Sequence, residues 1–172
     1  MHERNNMENK KKYITNGWLA VAIVTLILAI DQIIKIEVKT NMTLGEAIRV
    51  TDWFYIEFIE NNGMAYGMTF FNKLVLSLFR TFAIGAISWY IWRAVKSGLY
   101  SRGYVVCLAM ILAGAAGNLI DCLFYGLVFD ASTPFSVAGF VPFGTGYSTF
   151  LHGKVVDMFY FPLIVTNYPD WM

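Results

Sequence analysis

The stretch Tyr104–Val128, YVVCLAMILAGAAGNLIDCLFYGLV, decides how the rest of the chain is read. It is apolar for long enough to cross a bilayer, which takes about 20 residues as a helix. Toward one end it carries Asn118 and Asp121, at a depth where an ionisable group costs about 2.5–3.5 kcal/mol to insert. Those two residues stand at i and i+3, hence on one helix face. Ala113–Gly117 before them is built of small residues that let another helix pack closely. A face joining small residues to a buried amide and a buried carboxylate is poorly explained by packing alone. It reads as the wall of a polar site.

Two further segments are long and apolar enough to span: Trp18–Ile36 and Leu74–Ala94. The first is too long for a cleaved signal peptide, and Asp31 and Lys35 stand where small cleavage-site residues would be. The composition agrees with a membrane protein. Of 172 residues, 57% are apolar and 15% charged, against about 25% charged in soluble domains. A net charge of +1 gives no basic field for nucleic acid. The length suggests one domain, residues 1–172. Cys107 and Cys122 lie about 22 Å apart along one helix at ~1.5 Å per residue, too far to pair. Cys107 reads as a small residue buried in that helix, while Cys122 stands apart because it follows Asp121.

Lys and Arg in short loops set orientation. Arg4, Lys10, Lys11 and Lys12 precede the first span, and Arg93, Lys96 and Arg102 surround the turn between the second and third. Both regions are therefore expected on the cytoplasmic side. Glu37–Lys73 and Phe129–Met172 then face outward, with Lys35, Lys39, Arg49 and Lys73 as exceptions to the bias. Trp18, Trp89, Tyr90 and Trp92 fall near the interfaces, where aromatic rings anchor. Val50–Glu60 has the composition of one or two strands and would lie on the membrane as a small sheet. Phe129–Gly153 reads as a loop, with turns at Thr133-Pro134 and Gly144–Gly146.

Polar residues recur at three other places. Asp31 and Lys35 share a helix face and can pair. Asn61–Gly67 is a tight turn whose small residues admit another chain and whose Asn side chains suit an extended peptide. Asp157 is flanked by apolar residues on both sides, an odd setting for a surface carboxylate. His152 reads as incidental to any chemistry, and Arg80 is expected to extend its guanidinium outward to the interface.

In this order the four blocks resemble lipoprotein signal peptidase, also called signal peptidase II. Asp31 to Lys35 is similar to that family's D-x-x-x-K. Asn61, Gly63, Ala65 and Tyr66 match its N-x-G-x-A-[FY] turn. Gly117, Asn118 and Asp121 match its G-N-x-x-D-R, and Val155, Val156 and Asp157 its V-V-D. The resemblance runs from Trp18 to Phe161. It implies a helical membrane bundle of four spans, three of them present here, with a small extracytoplasmic β-rich element. It also implies an aspartyl endopeptidase of the bacterial cytoplasmic membrane, working at the outer leaflet. Its substrate would be a precursor carrying diacylglycerol on a cysteine, cut just before that cysteine.

By the same resemblance Asp157 is one of two catalytic aspartates. Asp31, Lys35, Gly117, Asn118 and Asp121 support the site, and Asn61, Gly63 and Ala65 help hold the substrate. Like charges close together take up one proton between them. The ionised member then removes a proton from water and the protonated one serves the scissile carbonyl and leaving amine. Three departures stand out. Cys122 occupies the position where the family has Arg. The Phe129–Gly153 loop is long. The F-N-x-A-D block and fourth span are absent, so the second aspartate is expected beyond residue 172 and the chain is expected to be truncated. Thr166–Asp170 is not that block, since it carries Pro169 for Ala and no apolar helix follows. No metal and no nucleotide is expected. The partners expected are lipidated precursors and membrane lipid, with the protein as a monomer. Two other classes stay open: an inactive binder of lipidated peptides, and a small transporter using Asp31, Arg80 and Asp121, which lacks paired repeats.

Overall fold

The computed structural model describes residues 2–62 and 73–162. The chain runs α1 (His2–Asn41), β1 (Ala47–Thr51), β2 (Phe54–Asn61), α2 (Lys73–Ser97), α3 (Arg102–Ile120) and β3 (Val155–Tyr160). Between α3 and β3 the helix continues through a π-helical turn at Asp121–Tyr125 and one last α turn at Gly126–Val128. Among the described residues three helical stretches have the length and hydropathy to cross a membrane: Tyr13–Asn41, Lys73–Ser97 and Arg102–Val128. They contain the three expected spans and outrun the first, because neither Gly nor Pro interrupts Trp18–Leu44. Gly45, at φ 88°, turns the chain after Met42 into the sheet.

The helix ends follow local chemistry. α2 stops at Gly98, whose φ of 66° is the left-handed conformation that closes a helix. The Ser101 side chain then accepts from the Tyr104 N–H and caps α3. Small residues set the packing. Ala20 on α1 meets Ala109 and Val105 on α3 and Ile91 and Val95 on α2 in one apolar cluster. Ala109, Ala113 and Gly117 form a buried stripe on α3. Cys107 lies off that stripe and is exposed, correcting the expectation of burial, whereas Cys122 is buried.

The sheet is antiparallel in the order β1-β2-β3. The one or two strands expected within Val50–Glu60 are an antiparallel pair, β1 and β2, which begins earlier, at Ala47. The third strand was not foreseen: the apolar run around Asp157 pairs with β2, setting Asn61 opposite Val155, Glu60 opposite Val156 and Ile59 opposite Asp157. A second apolar cluster holds this sheet on the helices, joining Val38 and Met42 of α1, Phe58 of β2, Tyr125, Phe129, and Val156 and Met158 of β3. Outside β3 the sheet continues into a stack of rings, Trp53, Phe54 and Phe161.

Candidate active site

Asp121 is fully buried, and both of its oxygens are engaged. Lys35 Nζ lies 2.8 Å from Oδ2, Gln32 Nε2 donates to Oδ1 at 3.0 Å, and the backbone N–H of Val156 donates to Oδ2 at 3.2 Å. The same Lys35 ammonium reaches Asn118 Oδ1 at 2.9 Å and Asp31 Oδ2 at 3.2 Å. Four of the sequence-derived candidates, Asp31, Lys35, Asn118 and Asp121, thus meet at one cation between α1 and α3. The i, i+4 pair of Asp31 and Lys35 is real, but the stronger partner of Lys35 is across the helix interface.

Gly117 explains how the two helices come so close. A Cβ at that position would overlap Oδ2 of Asp31 and stand 3.1 Å from its Cγ. Gln32, adjacent to Asp31, was not singled out in the sequence. It bridges Asp31 and Asp121 through its amide nitrogen, and its Oε1 accepts from the Tyr125 hydroxyl at 3.2 Å. The nearest signal was its place between two charged residues inside an apolar run.

The network's role toward the sheet follows from the Val156 contact. β3 is an edge strand, and its outer N–H groups need acceptors. Asp121 supplies one, which docks β3 on α3 and presents the next residue, Asp157, on the opposite side of the strand. Asp157 is exposed. Its Oδ2 accepts from Asn61 Nδ2 at 3.0 Å, a diagonal neighbour on the same face of β2. Asn61 therefore lies at the end of a strand rather than inside a turn. Asp121 is spoken for by Lys35, Gln32 and the Val156 N–H. Gly63, Ala65 and Tyr66 of the expected turn, and Thr166–Asp170, lie outside the described residues.

A second ionic group backs β2. Glu60 meets Lys39 at 2.5 Å and Lys154 at 2.7 Å. Burial alone would raise the Glu60 carboxyl, but hydrogen bonds from Lys154 and Lys39 outweigh it and hold the group below the usual range. Lys35 and Lys39, two of the exceptions to the charge bias, are thus buried in ion pairs and are not free loop charges. Arg80 also departs from expectation: its Nη1 donates to Cys122 Sγ at 3.1 Å, so the guanidinium turns toward α3 and the π-helical turn. On the same helix Ser77 Oγ donates to the Leu151 carbonyl at 2.9 Å, tying the end of the long loop to α2. His152 makes local contacts to Thr149 and Phe150. Among the described residues no group of three or more His, Cys, Asp or Glu side chains is placed to hold a metal ion.

Three apolar helices, a buried ionic core between two of them, and an exposed carboxylate on a strand docked to that core define a polytopic membrane protein with a polar cluster at its sheet end. Residues 23–171 match the family described as signal peptidase (SPase) II. A lipoprotein signal peptidase of Porphyromonas gingivalis (strain ATCC BAA-308 / W83) is 44% identical over 159 residues, covering 92% of this chain and 70% of the relative. One from Amoebophilus asiaticus (strain 5a2) is 35% identical over 161 residues, covering 90% of this chain and 64% of that protein. A solved bacterial membrane enzyme shares the fold with a TM-score of 0.60 at 21% identity, over 88% of this chain and 74% of that one. The chain belongs to the signal peptidase II family. It is an integral protein of the bacterial inner membrane, from a family of peptidases that process lipoproteins.

Proposed function

We propose that this protein cleaves the signal peptide from diacylglyceryl-modified prolipoproteins, just before the modified cysteine, with Asp157 as one of two acid–base carboxylates. The observation that carries the reading is the setting of Asp157. It is exposed, oriented by the Asn61 amide, and carried on a strand that the buried Lys35–Asp121 pair fixes to the helices. An exposed carboxylate held in one rotamer by a rigid support is what proton transfer at a defined point requires. Family membership supplies the reaction class.

In this reading the ionised carboxylate takes a proton from water as the oxygen attacks the scissile carbonyl. The protonated one donates to the carbonyl oxygen, and a proton passes to the amine as the C–N bond breaks. The Asn61 amide orients the Asp157 carboxylate by donating to its Oδ2. The sheet end of the bundle faces the outer leaflet, with the α2–α3 turn, carrying Arg93, Lys96 and Arg102, in the cytoplasm. The exposed rings of Trp53, Phe159 and Phe161 then lie at the interface, so the lipid tails of a substrate stay in the bilayer while its peptide reaches Asp157.

The test uses the intact protein in detergent micelles or nanodiscs with a synthetic precursor bearing diacylglyceryl-cysteine, and the same peptide unmodified. Mass spectrometry is expected to find a single cut before the modified cysteine and none in the unmodified peptide. Equal cutting of both, or binding of the lipidated peptide without any cut, contradicts the reading.

A further inference from the structure

We propose that Glu60 is a positioning residue for the hydrolytic site, clasping Lys39, Ser132 and Lys154 so that β2 and β3 hold the register at which Asn61 meets Asp157. The inference rests on the reading of Asp157 as an acid–base group. Glu60 Oε1 accepts from Lys39 Nζ at 2.5 Å and from Ser132 Oγ at 2.8 Å. Its Oε2 accepts from Lys154 Nζ at 2.7 Å. Lys39 also donates to Ser132 Oγ at 2.8 Å, and its ammonium sits 5.0 Å from the Tyr147 ring and 5.4 Å from that of Phe129. The Glu60 side chain is 2% exposed and that of Lys39 fully buried.

Ser132 stands near the start of the long Phe129–Gly153 segment and Lys154 immediately follows its end. One carboxylate therefore closes that loop at both ends, and joins it to the end of α1. Buried ionic groups are weak sources of net stability, because apolar side chains of similar volume do as well; what they supply in the best-attested cases is register. Register is where this sheet needs help. A slip of one residue exchanges the faces of a strand, and burial resists such slips only where apolar residues alternate. Val156, Asp157 and Met158 alternate in burial, but Val155 and Val156 are both buried, so at the start of β3 the apolar pattern does not choose between them. The Glu60 clasp does, since Glu60 is paired opposite Val156 while its own side chain is pinned to Lys154 and Lys39. Neighbouring side chains alternate, so pinning Glu60 on the inner face fixes Asn61 on the outer one, against Asp157.

The experiment compares three variants of the intact protein with wild type on the diacylglyceryl-cysteine precursor. Glu60→Asp keeps the charge and shortens the reach. Glu60→Gln with Lys39→Met removes the pair without leaving a lone buried cation. Lys154→Met cuts one arm, at a side chain one-third exposed and so removable at little cost to folding. A misplacement of about 1 Å costs up to roughly a hundredfold in rate. The expected result is therefore a kcat lower by roughly ten- to a hundredfold with KM unchanged, in variants whose thermal transition stays near wild type. Wild-type kcat in any folded variant overturns the inference. Asp157→Asn separates the two claims. If it is inactive while the Glu60 and Lys154 variants are fully active, only the clasp fails; if it is fully active, the site reading fails instead.

Discussion

Replacing Lys35 by Met isolates the energetic centre of the structure. The methionine keeps the apolar stem and removes an ammonium that is within 3.2 Å of three acceptors, on Asp31, Asn118 and Asp121. Lys35 is 3% exposed and Asp121 0%, so solvent does not replace what is lost. Removing one partner of a buried pair leaves an uncompensated charge and costs about 3–5 kcal/mol. Total stabilities are only about 5–15 kcal/mol, so the variant is expected to sit at the edge of folding. Adding Asp121→Asn removes the stranded charge and keeps one amide oxygen to accept from either the Val156 N–H or Gln32 Nε2. Neighbouring residues couple by about 0.5–3 kcal/mol, so the double variant is expected to regain about 2 kcal/mol relative to the sum of the single changes. Denaturant unfolding of the four proteins in micelles measures each corner of that cycle. A cost below about 1 kcal/mol for Lys35→Met, or a double variant equal to the sum of its parts, refutes the account of the pair.

Two further outcomes are expected. Gly117→Ala places a methyl on the Asp31 carboxylate and should cost about 1–3 kcal/mol by overpacking, whereas Gly114→Ala, which meets open space, should fall within about 0.5 kcal/mol of wild type by the same unfolding measurement. Glu60 is held below its ordinary value, so its contribution is complete above the unfolded-state value of about 4.3 and is lost as pH falls through the folded-state one. Hydrogen exchange at β2 amides should show no loss of protection from this group between about pH 7 and 5, then a fall on further acidification that is absent in Glu60→Gln/Lys39→Met.

Much of this architecture was legible because the bilayer makes hydrophobic length informative. Trp18–Ile36, Leu74–Ala94 and Tyr104–Val128 each lie within an observed membrane-capable helix. The i, i+3 and i, i+4 spacings placed Asn118 with Asp121 and Asp31 with Lys35 on common faces, and one ammonium joins all four. What stayed hidden depends on contacts between distant parts of the chain. β3 looked like any apolar run, because its identity as a strand comes from pairing with β2 far upstream. Glu60, Ser132 and Lys154 had no local pattern to unite them, and their cluster exists only once the loop closes. Arg80 was read as reaching for the interface because its acceptor, Cys122, lies on another helix. Cys107 and Cys122 looked alike in composition and differ only in which helix face the partners cover.

The most direct measurement is single-turnover cleavage of the diacylglyceryl-cysteine precursor by wild type and Asp157→Asn, with folding of the variant verified by its thermal transition. Loss of an acid–base group predicts a rate lower by about 10²–10⁴-fold with precursor binding retained. A folded Asp157→Asn protein that cuts at the wild-type rate would contradict the assignment of hydrolysis to this carboxylate.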